Sequence, residues 1–546
     1  MDALMMDLPL MLSAFLQHAA EAHGDAEVVS REFDGSLFHY GYADANLRAK
    51  KLALALEARG VGAGERVGTL AWNSHRHFEL FYGTSGYDRV LHTINPRLHR
   101  DELVYIINHC EDAWLFCDRE TLPIIEDLAP DLAGVRGYCL LGDADEMPGD
   151  TRLPDLVCYE ELIGEQDGDL EWPAFDENHA SSICYTSGTT GRPKGVVYSH
   201  RAMVLATLTL GLRDFLGYAE NGRRDVACAI APMFHGNAWN FPYLAPALGM
   251  NLILPGRDYS AGALLELLQG ERATIACGVP TIWMLLLERL EKTCGQLPDL
   301  KVALSAGSTP PSWLIERYAE SYGVDVLNTW GGTECLVGSV GSLKPGDAEL
   351  PATERFDKLR RSGRAHWGAR LRIVDDEGRA VPADGRTPGN LQIRGPFIAR
   401  GYFRREDASP LRGGWFDTGD VATFDPDGYF QIVDRSKDVI KSGGEWISTV
   451  DLENHALAHS DVRQAAVISV THPRWQERPL LICVRAEGSS VTAEEIRDFL
   501  SRRVAKWWLP EDIEFVEAIP LTGTGKIQKT TLRQEMGYRG YDVIRR

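Results

Sequence analysis

From Phe38 onward the chain alternates short extended runs with amphipathic ones, and this alternation restricts the fold more than any other feature. Residues 38–40 read as a strand and 43–59 as a helix closed by Gly60. Residues 65–70 read as extended, 78–87 as helical, 89–92 as extended, 100–109 as helical and 113–116 as extended. Apolar strands alternating with helices of this length predict an α/β fold of doubly wound, mostly parallel sheets. An opening helix is expected at residues 10–23, with Leu12, Phe15, Leu16 and Ala19 on one face. Gly60-Val61-Gly62-Ala63-Gly64 has the glycine content of a dinucleotide loop, but it leads into a strand and not a helix, which makes it a turn. Residues 142–172 are acidic and broken by Pro148 and Pro154, which predicts a surface excursion.

The segment that follows is Tyr185-Thr186-Ser187-Gly188-Thr189-Thr190-Gly191-Arg192-Pro193-Lys194-Gly195, between an apolar run at 180–184 and another at 196–199. Glycines let the backbone approach a ligand, and successive N–H groups form a concavity for anionic oxygens. The hydroxyls add donors or a magnesium ligand, and Lys194 adds a point charge. The spacing is not that of a P-loop, since Lys194 is followed by Gly195 and not by Ser or Thr. An ordinary loop does not need so many hydroxyls before Pro-Lys-Gly, so phosphate binding is the better reading.

Five more stretches carry chemistry. Pro232 to Trp239 sets aromatic residues beside small ones, which suits an acyl-enclosing pocket or, as plainly, a core segment with a satisfied histidine at His235. Ala303 to Pro310 reads as a strand entering a tight turn at Gly307. Asn328-Thr329-Trp330-Gly331-Gly332-Thr333-Glu334 ends a buried strand on a carboxylate, which is costly unless paired or metal-bound. Trp415-Phe416-Asp417-Thr418-Gly419-Asp420 presents a carboxylate whose two oxygens match two ribose hydroxyls. Asp434 to Ile447 is charged and turn-prone with the glycine pair Gly443-Gly444, as a hinge between rigid bodies requires. From Gly363 the chain shifts to short strands and Gly/Asp/Pro turns, which predicts a β-barrel-like subdomain.

With these motifs in this order, the chain resembles the adenylate-forming (ANL) superfamily, in its acyl-CoA synthetase or medium- to long-chain fatty-acid–CoA ligase branch. The resemblance covers nearly the whole length. It implies a large N-terminal domain over residues 1–433, a hinge at 434–437 and a small mobile α+β lid over 438–546. It places Ser187, Gly188, Thr189, Thr190 and Lys194 on the ATP phosphates, with Thr186 and Glu334 as ligands of Mg²⁺. Thr333 falls on the α-phosphate; Gly307, Asn328, Thr329, Trp330 and Trp446 line the nucleotide; Asp420 and Arg435 meet the ribose. His235, Gly236, Trp239 and Gly332 line the acyl pocket. Lys437 takes the hinge position, Lys441 faces the active site during thioester formation, and Lys526, in a loop otherwise read as solvated, becomes the adenylation lysine.

Two departures stand out: Trp330 replaces the usual Tyr, and Gly332 replaces a bulky apolar residue, which widens or reshapes the pocket. His235 and Gly236 follow Phe234 where amino-acid-activating relatives have an aspartate, so amino-acid activation is not expected. The implied reaction joins a medium-chain, branched or aryl-alkanoic acid to CoA with ATP and Mg²⁺. The alternatives are an adenylation enzyme loading a separate carrier protein, and a non-catalytic nucleotide-binding protein that keeps the fold. A homodimer is implied by the resemblance alone.

Composition limits the rest. A net charge of −21 disfavours nucleic acid and anionic membranes as partners. No apolar run reaches transmembrane length, and the apolar N-terminus carries Asp2 and Asp7 without a basic region, so neither a span nor a signal peptide is expected. Ten cysteines without a CxxC pair predict reduced, buried thiols in a cytoplasmic protein and no structural zinc site.

Overall fold

A computed structural model describes residues 4–186, 192–212, 223–405, 409–435, 438–442, 445–521 and 527–536, with the backbone alone at 441, 445 and 446. Two seven-stranded sheets form the body. The first runs Val157–Cys158, Gly137–Leu140, Asp112–Cys117, Arg66–Leu70, Val90–Thr93, Ala180–Thr186, Lys194–Ser199. The second runs Asp325–Asn328, Val302–Ser305, Ile275–Gly278, Val226–Ala229, Asn251–Leu254, Glu27–Arg31, Leu37–Gly41. Each is parallel except for one hairpin at an edge: Ala180–Thr186 with Lys194–Ser199, and Glu27–Arg31 with Leu37–Gly41. The central strands Val90–Thr93 and Asp112–Cys117 are buried at every residue, as expected where helices cover both faces of a parallel sheet.

Helix His75–Ser85 is buried along its whole length and packs against strands of both sheets. Ser74 starts it by accepting from the His77 N–H. Gly60 and Gly64 hold φ of +75° and +72° just before strand Arg66–Leu70, which is the predicted turn.

One expectation fails. Residues 142–172 are no mere excursion, because they supply edge strand Val157–Cys158 and helix Tyr159–Gly164, whose Tyr159, Leu162 and Ile163 are buried. Their acidity has an internal use. Tyr159 donates to buried Glu79 at 2.7 Å, and Glu160 receives both Arg48 (2.8 Å) and Arg76 (2.7 Å). These guanidiniums hold the Glu160 carboxyl low, at about 2, against the upward push of its burial. A composition rule cannot tell solvated carboxylates from ones that neutralise buried arginines.

Beyond the body lies a five-stranded antiparallel sheet built from Arg370–Val374, Gly389–Arg394, Trp415–Phe424, Leu411–Arg412 and Phe430–Arg435. The C-terminal segment has its own sheet, in which edge strand Val462–His472 and its neighbour Gln476–Arg485 form the longest pair, and its own two hydrophobic clusters. A buried ionic group ties the two sheets together. Asp434, on strand Phe430–Arg435, accepts from the Thr449 N–H (2.8 Å) and hydroxyl (2.7 Å), and Lys529 pairs with Glu453 at 2.8 Å. Burial pulls the Lys529 ammonium down, but the Glu453 and Asp434 carboxylates more than offset it and keep it charged. Nine of the ten cysteines are buried and Cys294 is exposed. Among the described residues, no helix is long and apolar enough to cross a membrane.

Candidate active site

The phosphate-loop sequence closes the edge hairpin of the first sheet. Tyr185 pairs with Gly195 and Thr186 with Lys194. Ser187, Gly188, Thr189 and Thr190 lie outside the described residues.

Two clusters form near this hairpin and at the head of the antiparallel sheet. In the first, the Tyr402 hydroxyl donates to Glu334 Oε1 at 2.9 Å, and Lys194 Nζ stands 4.7 Å from the centre of the Tyr402 ring. Burial and the Glu334 carboxylate both raise the Tyr402 pKa, which keeps the phenol a neutral donor. Main-chain bonds lock the arrangement. The Ala399 N–H donates to the Glu334 carbonyl, the Phe403 N–H to the Gly195 carbonyl and the Tyr198 hydroxyl to the Thr333 carbonyl. A cation and a carboxylate thus share one aromatic support beside the loop.

In the second cluster, Asp420 and Arg435 are cross-strand partners. Asp420 is 3% exposed. Its Oδ1 meets Arg435 Nε at 2.8 Å and its Oδ2 accepts from Trp330 Nε1 at 2.8 Å. No tight turn precedes Asp420: it lies within strand Trp415–Phe424, where Gly419, at φ +71°, sits in a bulge against Gly389–Arg394 between Asp417 and Val421. The Asp420 charge holds the Arg435 pKa above its ordinary value. The Trp330 indole meets Phe430 edge-on at 5.8 Å, and its six-membered ring covers Gly338, where an added Cβ would lie 2.2 Å from it. Position 330 therefore orients a carboxylate as well as offering a ring.

The remaining nucleotide positions sit at the carboxyl ends of the second sheet's parallel strands, where α/β sheets bind ligands. Gly307 follows Val302–Ser305 and is exposed, at φ +92°. Asn328 and Thr329 end Asp325–Asn328 and are buried. Asn328 Nδ2 donates to the Arg360 and Arg361 carbonyls and the Thr329 N–H to the Ser305 carbonyl, so both hold main chain in place.

At the expected acyl segment, five successive residues from Gly236 to Asn240 have φ between +49° and +66°. This is a left-handed turn, and four of its residues are not glycine. Contacts around it hold it. Asn237 Nδ2 donates to Ser182 Oγ at 2.9 Å, the Cys184 thiol donates to Asn237 Oδ1 at 3.4 Å, and Asn240 Nδ2 donates to Thr207 Oγ1 at 3.3 Å. The acyl segment is thereby fastened to the strand that leads into the phosphate hairpin. The His235 N–H donates to the Pro232 carbonyl, and Trp239 is half-buried. Gly332 is exposed beside Glu334 and Cys335; a Cβ there would clear Cys335 Sγ by 3.5 Å and Glu334 Oε2 by 3.8 Å, so its effect is open space and not strain relief.

Lys441 and Trp446 face each other in the register of Ile440–Ser442 with Glu445–Ile447, and their side chains lie outside the described residues. Lys437 and Lys526 lie outside them altogether, although Leu521 and Ile527, on either side of the Lys526 loop, are bridged. Tyr402, Tyr198 and Asn237 were not singled out by sequence reasoning: Asn237 falls inside the Pro232–Trp239 stretch without being marked, and Tyr402 and Tyr198 act through contacts that only the fold makes.

Known proteins fit this geometry. The model of the AMP-binding enzyme family matches residues 16–403, and that of the AMP-binding enzyme C-terminal domain matches 451–526. The chain is 45% identical to a 3-methylmercaptopropionyl-CoA ligase of Ruegeria lacuscaerulensis, over 97% of this chain and 98% of the relative. It is 42% identical to a medium-chain-fatty-acid–CoA ligase of Ectopseudomonas oleovorans, over 98% and 97%. The crystal structure of the anthranilate CoA ligase AuaEII in complex with anthranoyl-AMP is similar with a TM-score of 0.86 at 27% identity, covering 97% of this chain and 98% of that one.

Proposed function

The chain belongs to the AMP-binding enzyme family, and from that premise we propose that it is an AMP-forming acid–thiol ligase that activates a carboxylic acid with ATP and passes the acyl group to coenzyme A. The observation that supports this most directly is the Lys194–Tyr402–Glu334 cluster beside the phosphate hairpin. It sets a cation for phosphate oxygens next to a carboxylate suited to a hard divalent ion.

In the first half-reaction a carboxylate oxygen of the acid attacks the α-phosphorus of ATP, the bond to the bridging oxygen breaks, and diphosphate leaves. Positioning and charge neutralisation do most of this work. Lys194 and the hairpin backbone hold the terminal phosphates. Asp420, fixed by Trp330 and Arg435, holds the ribose hydroxyls and so the α-phosphate's place. Lys526 stabilises the charge developing between the acid and the α-phosphate. Glu334 and Thr186 offer hard oxygen donors that fit Mg²⁺, which when bound with ATP offsets phosphate charge. In the second half-reaction the CoA thiolate attacks the acyl carbon, the bond to the AMP oxygen breaks, and AMP leaves. A swing of the C-terminal lid about Lys437 withdraws Lys526 and brings Lys441 inward.

The acid is uncharged beyond its carboxylate and of short to medium length: aliphatic, branched, aryl-alkanoic or thioether-containing. The apolar Phe234–Trp239 stretch and the open space at Gly332 support that class, as do relatives acting on methylmercaptopropionate and medium-chain fatty acids. One methylene is worth about 1–3 kcal/mol in such a pocket, so several homologous acids are substrates. A cytoplasmic homodimer is part of the same reading.

The test measures AMP release with ATP, Mg²⁺ and a panel of straight, branched, aryl and thioether acids, with and without CoA. Sustained AMP release that requires CoA, with one acid class dominant, is expected. Diphosphate exchange that CoA leaves unchanged would overturn the CoA assignment and point to a carrier protein.

A further inference from the structure

Beneath the strand that leads into the phosphate hairpin lies a polar group with no part in the reaction above. His92 is on strand Val90–Thr93, Cys110 ends helix Arg100–Cys110 and Asp112 opens strand Asp112–Cys117. Strand Arg66–Leu70 runs between the two strands, and its Gly68 is the direct neighbour of His92. A Cβ on Gly68 would stand 3.0 Å from Asp112 Oδ2, so the missing side chain is what lets His92 and Asp112 meet across an intervening strand. His92 Nδ1 and Asp112 Oδ2 are 2.7 Å apart. His92 and Cys110 are 0% exposed and Asp112 is 1% exposed. Ligand atoms from all three lie within 4.8 Å of one another.

Two atoms of this group, His92 Nε2 and Asp112 Oδ1, are buried without a hydrogen-bond partner of ordinary geometry among the described residues, and the Cys110 thiol is the group that faces the Asp112 carboxylate. Buried polar atoms are seldom left so. Arg66 is committed to the Cys110 and Gly64 carbonyls and to Glu111.

We propose that His92, Cys110 and Asp112 form a binding site for a thiophilic divalent cation, Zn²⁺, separate from the nucleotide's metal. Thiolate, imidazole and carboxylate are the ordinary zinc donors, and a thiolate selects against Mg²⁺. Bonds of about 2.0–2.3 Å set tetrahedral donors about 3.3–3.8 Å apart, so on binding the His92–Asp112 pair opens from its 2.7 Å hydrogen bond while separations as wide as 4.8 Å close around the ion. The ion braces a working element. The His92 ring packs 5.1 Å from that of Tyr185, whose hydroxyl bonds His109 Nδ1 at 2.8 Å, and Tyr185 directly precedes Thr186 at the hairpin. The spacing 92, 110, 112 follows no zinc pattern, because the ligands converge through sheet order and a glycine.

The test uses the full chain carrying Cys294→Ser, which removes the exposed thiol. The protein is stripped with a chelator and titrated with zinc chloride against a chromophoric competitor in excess Mg²⁺; a parallel sample takes cobalt chloride. One zinc per chain is expected, together with a thiolate-to-cobalt charge-transfer band. Cys110→Ser is expected to abolish the band and, like His92→Gln, to weaken zinc by more than about 100-fold, beyond what loss of an outer-sphere partner does. Absence of stoichiometric zinc, absence of the band in the parent, or a Cys110→Ser protein that binds as the parent does would each overturn the proposal. The cobalt spectrum decides the matter even if a variant fails to fold.

Discussion

Replacing Trp330 with Phe separates the two tasks assigned to that position. Phenylalanine keeps an aromatic face and the edge contact to Phe430 but loses the indole N–H that Asp420 Oδ2 accepts at 2.8 Å. Arg435 remains on Oδ1, so the carboxylate keeps that ion pair but loses the indole's hold on Oδ2. A hydrogen bond to a charged group contributes about 1.5–3 kcal/mol net. The carboxylate is then less firmly oriented toward the ribose hydroxyls, and the deficit is read as lost nucleotide affinity. About 2 kcal/mol corresponds to roughly 30-fold. We therefore expect AMP to bind about 30-fold more weakly by calorimetry and KM for ATP to rise in step, while KM for the acid and for CoA stays within about twofold. AMP affinity unchanged in a folded variant, or equal losses toward all three substrates, would refute the idea that Trp330 acts through Asp420.

Three further outcomes follow from the same geometry. Tyr402→Phe keeps the ring under Lys194 but removes the donor to Glu334, so the Mg²⁺ concentration needed for half-activity should rise about 10–100-fold, and an unchanged Mg²⁺ dependence would count against Glu334 as the ligand. Lys526→Ala should abolish adenylation yet spare thioester formation from supplied acyl-adenylate; equal loss of both half-reactions would sink its assignment. Burial lowers the pKa of both His77 and His200 to about 4, so the unfolded chain binds protons that the folded one refuses between about pH 6.5 and 4. Their stabilisation is complete above pH 6.5 and is lost as pH falls toward 4, about 3 kcal/mol for each buried ring, and urea midpoints that stay flat over that window would contradict it.

Much of the fold was legible because parallel strands covered on both faces are buried throughout and so run largely apolar, and helices must separate them. The edge hairpin at the phosphate loop was foreshadowed by the extended runs on either side of the glycines, but the antiparallel pairing of Thr186 with Lys194 was not. Residues 142–172 misled because Glu160 looks like any surface acid until Arg48 and Arg76 arrive from other elements. Asp420 and Glu334 stood out by local chemistry as carboxylates near glycines, though Asp420 lies inside a bulged strand and not after a turn. Their partners Trp330 and Tyr402 act through tertiary contacts 90 and 68 residues away, a separation that no local pattern encodes.

The left-handed turn from Gly236 to Asn240 bears on how such a pocket diversifies. An L-residue in that conformation costs roughly 1–2 kcal/mol, least for asparagine, and three of the four non-glycine residues are paid for by neighbours that are themselves fixed: Asn237 by Ser182, Asn240 by Thr207, and Ala238 by complete burial. β-Branched residues are all but barred from these positions. The turn is therefore a poor substrate for selection, since most exchanges in it threaten the fold before they reach the ligand. On the proposed placement of the acid, new preferences are expected at the exposed Gly332, where a methyl meets nothing closer than 3.5 Å. A lineage exploring acyl chains is expected to vary there first and to leave the left-handed turn almost untouched.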